Sequence, residues 1–338
     1  MPDDVSPNQS QSAEISFTEL VDALFDQDTL LSHRYLFRLS DLEGDELFKL
    51  REIWLQISTQ RRLRLLEDLE IFVESNSMVS FDAVCQLALS DPDSTVRQVA
   101  VRALWECDDP ALVPIFLDIL ENDENPSTQA QAASGLGHFV YLGELGKIKT
   151  DTLETIVDSL LTVMDSEMSP DIRRSALESL GYSSHPKVPK LTEDAYDYGD
   201  EEWLSSALAA MGRSADEQWN PLIIDKLDHS DVEVRLKAAQ AAGELAILDA
   251  TPILLHLLND QDDEVRMAAV WALSEVGGNE ARDRLDALLE ETEDEDEIEH
   301  IENALDNLVF NQELQDFKIM DFSEDDLDHM ANNISDEE

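Results

Sequence analysis

Apolar and polar positions along this chain recur at two levels. Within a segment, apolar residues return at spacings of four, seven and eight, which puts them on one face of a helix. Between segments a whole pattern returns. Asp93-Ser-Thr-Val96-Arg97 is followed by Ala100, Ala103 and Leu104. Asp231-Val-Glu-Val234-Arg235 is followed by Ala238, Ala241 and Ala242, and Asp262-Asp-Glu-Val265-Arg266 by Ala269, Ala272 and Leu273. With the Val of Val-Arg as position zero, that position falls at Arg61, Val96, Thr128, Ile172, Trp203, Val234, Val265 and Glu297. The intervals are 31 to 35 residues, with one of 44.

Two further columns fix the register. Four residues on stand Leu65, Ala100, Ala132, Ala176, Ala207, Ala238, Ala269 and Ile301, mostly small enough to let helices approach closely. Three residues before position zero stand Ser58, Asp93, Asn125, Ser169, Asp200, Asp231, Asp262 and Asp294. All are helix N-cap types, whose side-chain oxygen accepts from a free amide of the first turn and contributes about 1 kcal/mol. Between these helices lie shorter apolar segments, several with Pro in the first turn (Pro110, Pro221, Pro252), where the missing amide costs little. Pro114 and Pro189 lie later and are expected to bend their helices.

A period near 31 residues carrying two helices predicts an all-α fold, a right-handed α-α superhelix. In this solenoid about eight helix pairs bury their apolar faces on one another. Residues 1–13, rich in Pro, Ser, Gln and Asp, read as a disordered leader. Residues 14–39 read as an N-terminal helical cap and 40–310 as the repeat array, beginning with an amphipathic helix that aligns Leu47, Leu50, Trp54 and Ile57. Residues 311–338 read as an acidic, disordered tail. The 44-residue interval is expected to hold an insertion at 138–150, a longer connection.

Charge changes the picture of partners more than of fold. The net charge is −53, from 76 acidic against 23 basic residues, and 290–338 holds 20 Asp and Glu with one base, Lys318. Such a surface repels phosphate backbones and anionic lipid, which argues against direct nucleic-acid or membrane binding and favours a protein partner with a basic surface. The N-terminus lacks an apolar signal core and no run approaches the length of a membrane span, so a cytoplasmic monomer is expected. Cys85 and Cys107 are too few for a disulfide framework and read as buried small hydrophobes.

The Asp-x-x-Val-Arg-x-x-Ala-x-x-Ala-Leu pattern resembles HEAT repeats, specifically the short bacterial type described as phycobilin-lyase HEAT-like, an armadillo-like architecture. The resemblance spans Asp41 to Phe310. Tyr35-Leu-Phe-Arg-Leu-Ser-Asp-Leu42, Leu180-Gly-Tyr-Ser-Ser184 and Ala210-Met-Gly-Arg-Ser-Ala-Asp216 are similar to a narrower group of bacterial HEAT proteins of no known activity. Deoxyhypusine hydroxylases share this repeat and bind a di-iron centre through His-Glu pairs just after the Val-Arg step. The matching positions here include Gln98-Val99, Leu236-Lys237 and Met267-Ala268, and only Glu299-His300 offers a reversed pair. A metal-dependent hydroxylase is therefore disfavoured. The phycobilin lyases make an accessory factor for chromophore or cofactor attachment the main alternative, on fold alone.

No catalytic, cofactor-binding or metal-ligating set emerges from the remaining residues. The seven histidines are scattered, and Glu297-x-x-His300 stands alone in an acid-rich terminal repeat. The Val-Arg arginines Arg62, Arg97, Arg173, Arg235 and Arg266 read as an internal ladder reaching acids of the neighbouring repeat. The expected function is a non-enzymatic protein-binding scaffold or adaptor. In this repeat the second helices line the concave wall, and their positions three, six and ten face it. That places Glu178, Tyr182, Ser206, Arg213, Lys237, Gln240, Glu244, Trp271 and Glu275 in a row of candidate binding residues, Tyr, Trp and Arg being the types that dominate interfaces. Trp271 has packing against the next repeat open to it as a second role.

Overall fold

The cap residues do what their chemistry allows. The Asp93 carboxylate accepts from the amides of Thr95 and Val96, Asp200 from Glu202 and Trp203, and Asp262 from Glu264 and Val265. Ser58, Asn125, Asp231 and Asp294 each accept from one or two first-turn amides as well. Ser169 departs from the column, for its hydroxyl is buried without a hydrogen-bond partner. These caps start the second helix of each pair.

The structure, a computed structural model, describes residues 15–319 apart from 28, 75 and 77. Two short helices, α1 (Phe17–Phe25) and α2 (His33–Phe37), precede eight pairs. The pairs are α3 (Gly44–Ile53) with α4 (Thr59–Glu74), α5 (Asp82–Ala88) with α6 (Ser94–Ala103), α7 (Val113–Asn122) with α8 (Pro126–Glu144), and α9 (Thr150–Met164) with α10 (Pro170–Leu180). They continue as α11 (Val188–Tyr196) with α12 (Glu201–Arg213), α13 (Asn220–Lys226) with α14 (Val232–Glu244), α15 (Thr251–Leu257) with α16 (Asp263–Val276), and α17 (Asn279–Glu291) with α18 (Glu295–Ile319). The fold is an all-α solenoid, with no strand among the described residues.

The helices form two compact units, one ending at Ser179 and the other beginning at Leu180. In the second unit α12, α14, α16 and α18 stack directly on one another, while contacts between successive first helices are sparse. The second helices are thus its inner row. Their position-zero and position-four residues, Trp203, Val234, Val265, Ala207, Ala238 and Ala269, are all buried. In the first unit α4, α6 and α8 stack in the same way.

Four expectations need correction. Residues 138–144 continue α8 and Thr150 begins α9, so the long interval comes from two long helices and not from an inserted loop. Pro114 and Pro189 occupy the first turns of α7 and α11, where they displace no helical hydrogen bond and bend nothing. The segment Asp41 to Ile57 is not one helix: Asp41 takes a left-handed φ of 52°, α3 starts at Gly44, and a 3₁₀ turn spans Trp54–Gln56. The expected tail does not begin at 311, because α18 runs through to Ile319. The leader 1–13 and residues 320–338 lie outside the described residues.

The arginine ladder is present at four of its five expected rungs, Arg173 being the exception because Tyr198 stands where the next pair would supply an acid. Arg62 bonds Asp91 at 2.6 Å, Arg97 bonds Asp123 at 2.7 Å and Arg235 bonds Asp260 at 2.8 Å, each acid five residues before position zero of the next pair. The same guanidinium donates to a carbonyl six residues back: Arg97 to Asp91, Arg235 to His229 and Arg266 to Asp260. At the last pair Glu297 replaces the Asp and meets Arg266 at 2.9 Å. The Arg235 hydrogen bond holds the Asp260 carboxyl below the usual carboxylate range. Each of these four arginines therefore ties one pair to the next and is committed to architecture.

Candidate functional site

The inner row of the second unit is set by a column that the sequence reading passed over. Nine residues past position zero stand Gly212 on α12 and Gly243 on α14. A Cβ at Gly212 would overlap the Glu244 carboxylate and come within 2.8 Å of the Ala241 Cα. A Cβ at Gly243 would lie 2.5 Å from the Trp271 ring and 2.9 Å from the Ala272 Cα. Glycine at this position lets each helix backbone settle against its successor. It also seats one candidate side chain of the following helix, Glu244 over α12 and Trp271 over α14. The signal was available as a recurring Gly at position nine, but its meaning depends on which side chain the next repeat supplies.

Around these two seats the structure gathers most of the expected row. The Arg213 guanidinium lies over the Tyr182 ring, 5.3 Å from its centroid, a contact between a cation and an aromatic face. Lys237 donates to Gln240 at 3.2 Å and lies 3.7 Å from Glu233. Trp271 is half-buried, packed on the apolar core of this unit. Glu275 accepts from Asn307 at 2.7 Å, so α18 holds its carboxylate. Asn307 stands at position ten of the last pair, so the position-three, -six and -ten rule extends to α18, although the candidate row stops at α16.

Ser206 is different. It is only 4% exposed, because position three of α12 faces a packed neighbour, and it offers nothing to a partner. Glu178 is half-buried and belongs to the unit that ends at Ser179. The five residues Lys237, Gln240, Glu244, Trp271 and Glu275 lie on the adjacent helices α14 and α16.

Glu244 carries the unusual electrostatics. Desolvation in its crowded seat pushes the carboxyl above its ordinary range, and the through-space attraction of Arg213 and Lys237 opposes this without cancelling it. The residue still shows more than a third of its surface to water, so the penalty is screened. Its sign is nevertheless fixed. A carboxyl with a raised folded pKa is easiest to accommodate below the unfolded value, about 4.3. It costs stability as pH rises through its folded value. Glu244→Gln is therefore expected to raise the thermal midpoint slightly at pH 7, with the difference vanishing below about pH 4. Unfolding curves of the two proteins across this range check it, and a lowered midpoint at pH 7 would contradict the sign.

Elsewhere the polar groups are absorbed by structure. His300 bonds the Met267 carbonyl at 3.1 Å, and His138 bonds Asp108 at 2.7 Å. Among the described residues no group of three or more His, Cys, Asp or Glu is arranged to hold a metal ion, and no helix is long and apolar enough to cross a membrane.

The sequence model of the family described as HEAT repeats matches residues 81–161 and 220–306. A comparison with curated proteins gave no match. Among similar solved structures, the complex of CpcE and CpcF of phycocyanin lyase from Nostoc sp. PCC7120 shares 20% identity over 67% of this chain and 94% of that one, with a TM-score of 0.44. Escherichia coli YibA shares 17% identity over 84% of this chain and 99% of that one, with a TM-score of 0.40. Human deoxyhypusine hydroxylase in complex with glycerol shares 14% over 87% and 96%, with a TM-score of 0.35.

Proposed function

Because this chain is a HEAT-repeat protein, we propose that it acts as a non-enzymatic scaffold that binds a protein partner along the inner row of its second unit. The observation that carries the reading is Glu244. Its carboxylate is seated against Gly212 of the preceding helix yet keeps more than a third of its surface open to a partner. Beside it Trp271 presents a half-buried indole and Arg213 an oriented guanidinium. Large amphipathic side chains of this kind supply most of the energy of protein interfaces.

The partner is expected to present a basic surface. With a net charge of −53, the chain accelerates encounter with cationic proteins and disfavours nucleic acid and anionic membrane. A photo-crosslinking residue placed at Trp271, with a second placed at exposed Leu248 as control, tests the assignment in extracts of the native host. The same basic protein should be captured from the Trp271 position and not from Leu248. Capture from Leu248 alone would place the partner elsewhere.

A further inference from the structure

A second feature lies in the unit that ends at Ser179 and does not rest on the scaffold reading. Its origin is a break in the repeat. Helix α6 stops at Ala103, seven residues past position zero, whereas α12 and α14 reach the tenth position and α16 the eleventh. At position nine, where the next five pairs carry Gly137, Gly181, Gly212, Gly243 and Ser274, this pair carries Trp105. The indole does not fill the core, being 59% exposed.

The missing turn leaves a cavity of about 600 Å³ between α4, α5 and the end of α6, a volume in the range that holds small organic ligands. Leu69, Val73, Phe81 and Cys85 form its apolar wall, and Trp105 stands at its edge. Three carboxylates also line it. Glu70 is bonded by Arg102 at 2.6 Å, but Asp82 and Glu106 have no ion-pair partner among the described residues. The thiols add no negative charge, because burial pushes Cys85 up to about 12 and Cys107 up to about 11. The cavity thus combines an apolar wall, an aromatic face and uncompensated negative charge at its rim.

We propose that this cavity binds a small amphiphilic organic cation, its apolar body against Leu69, Val73 and Phe81 and its ammonium group between the Trp105 ring and the carboxylates of Asp82 and Glu106. A cation over an indole face beside carboxylates is favoured on both counts. An anionic or neutral ligand of the same shape gains only the apolar contact.

The test uses the full-length protein and three near-isosteric probes, 4-phenylbutylammonium, 4-phenylbutanol and 4-phenylbutyrate, titrated while the Trp105 indole N–H resonance is followed. Trp105→Phe assigns that resonance. The ammonium should shift it and bind about fivefold or more tightly than the alcohol, with the carboxylate weakest. Glu106→Gln should cut the advantage of the ammonium by about threefold while leaving the affinity for the alcohol unchanged. Trp105→Gly, which places there the glycine of four other pairs, should weaken all three probes as measured by titration calorimetry, since this variant lacks the indole reporter. Equal binding of ammonium and carboxylate would overturn the proposal, as would an unmoved Trp105 resonance at millimolar probe or an advantage that survives Glu106→Gln. So would a lysine-rich peptide that shifts Trp105 when the free ammonium does not, since the occupant would then be a protein.

Discussion

Asp91→Ala is expected to lower the stability of the first unit by about 3–5 kcal/mol, the cost of leaving a buried partner charge uncompensated. The Asp91 side chain is fully buried and Arg62 is 5% exposed. One carboxylate accepts three hydrogen bonds there, from Arg62 at 2.6 Å, from the Trp54 indole at 2.7 Å and from the Asp93 amide at 2.9 Å. The Arg62 Nε already lacks a partner, so the guanidinium has little left to fall back on when the carboxylate goes. Trp54 would lose its acceptor at the same time. Denaturant unfolding followed by helix content measures the loss. Asp260→Ala, at the more exposed rung with Arg235, should cost clearly less. Equal losses at the two rungs, or a loss at Asp91 below about 1 kcal/mol, would show that burial is not what makes this rung matter.

Trp271→Ala is expected to weaken capture of the partner by about tenfold or more, with a native circular dichroism spectrum. The indole rests on Gly243 and the apolar core, so truncation removes a preformed contact surface at the centre of the row. Arg213→Ala should act in the same direction through loss of the stack on Tyr182. Removing residues after Ile319 should instead alter the salt dependence and association rate, because charges outside the contact act at long range and are screened. A truncation there spares α18, which continues to Ile319. If the truncation abolishes capture while both inner-row substitutions leave it intact, the partner reads the acidic C-terminal segment and the site is misplaced.

The all-α class, the eight pairs, the starts of the second helices and four rungs of the arginine ladder are legible in the amino-acid pattern alone. Each of these rests on residues whose partners sit at fixed offsets. An Asp three residues before position zero meets its own helix, as at Asp93 and Asp262. An Arg one residue after position zero meets an acid five residues before the next position zero, as at Arg97 and Arg235. Periodic structure makes such contacts readable because every repeat states them again.

Packing in three dimensions sets the places where one repeat departs from the others. Position three reads alike at Ser206 and Lys237, yet Ser206 is sealed by packing while Lys237 remains half-open. Gly212 and Gly243 read as helix glycines, but each is the seat of a particular neighbour, Glu244 or Trp271. The one-turn deficit of α6, and with it the cavity beside Trp105, follows from where a helix ends, and local pattern sets helix ends only loosely. Periodicity fixes which face of a helix is buried. It does not fix how far a neighbouring side chain reaches across that face, and exposure and pKa depend on that reach.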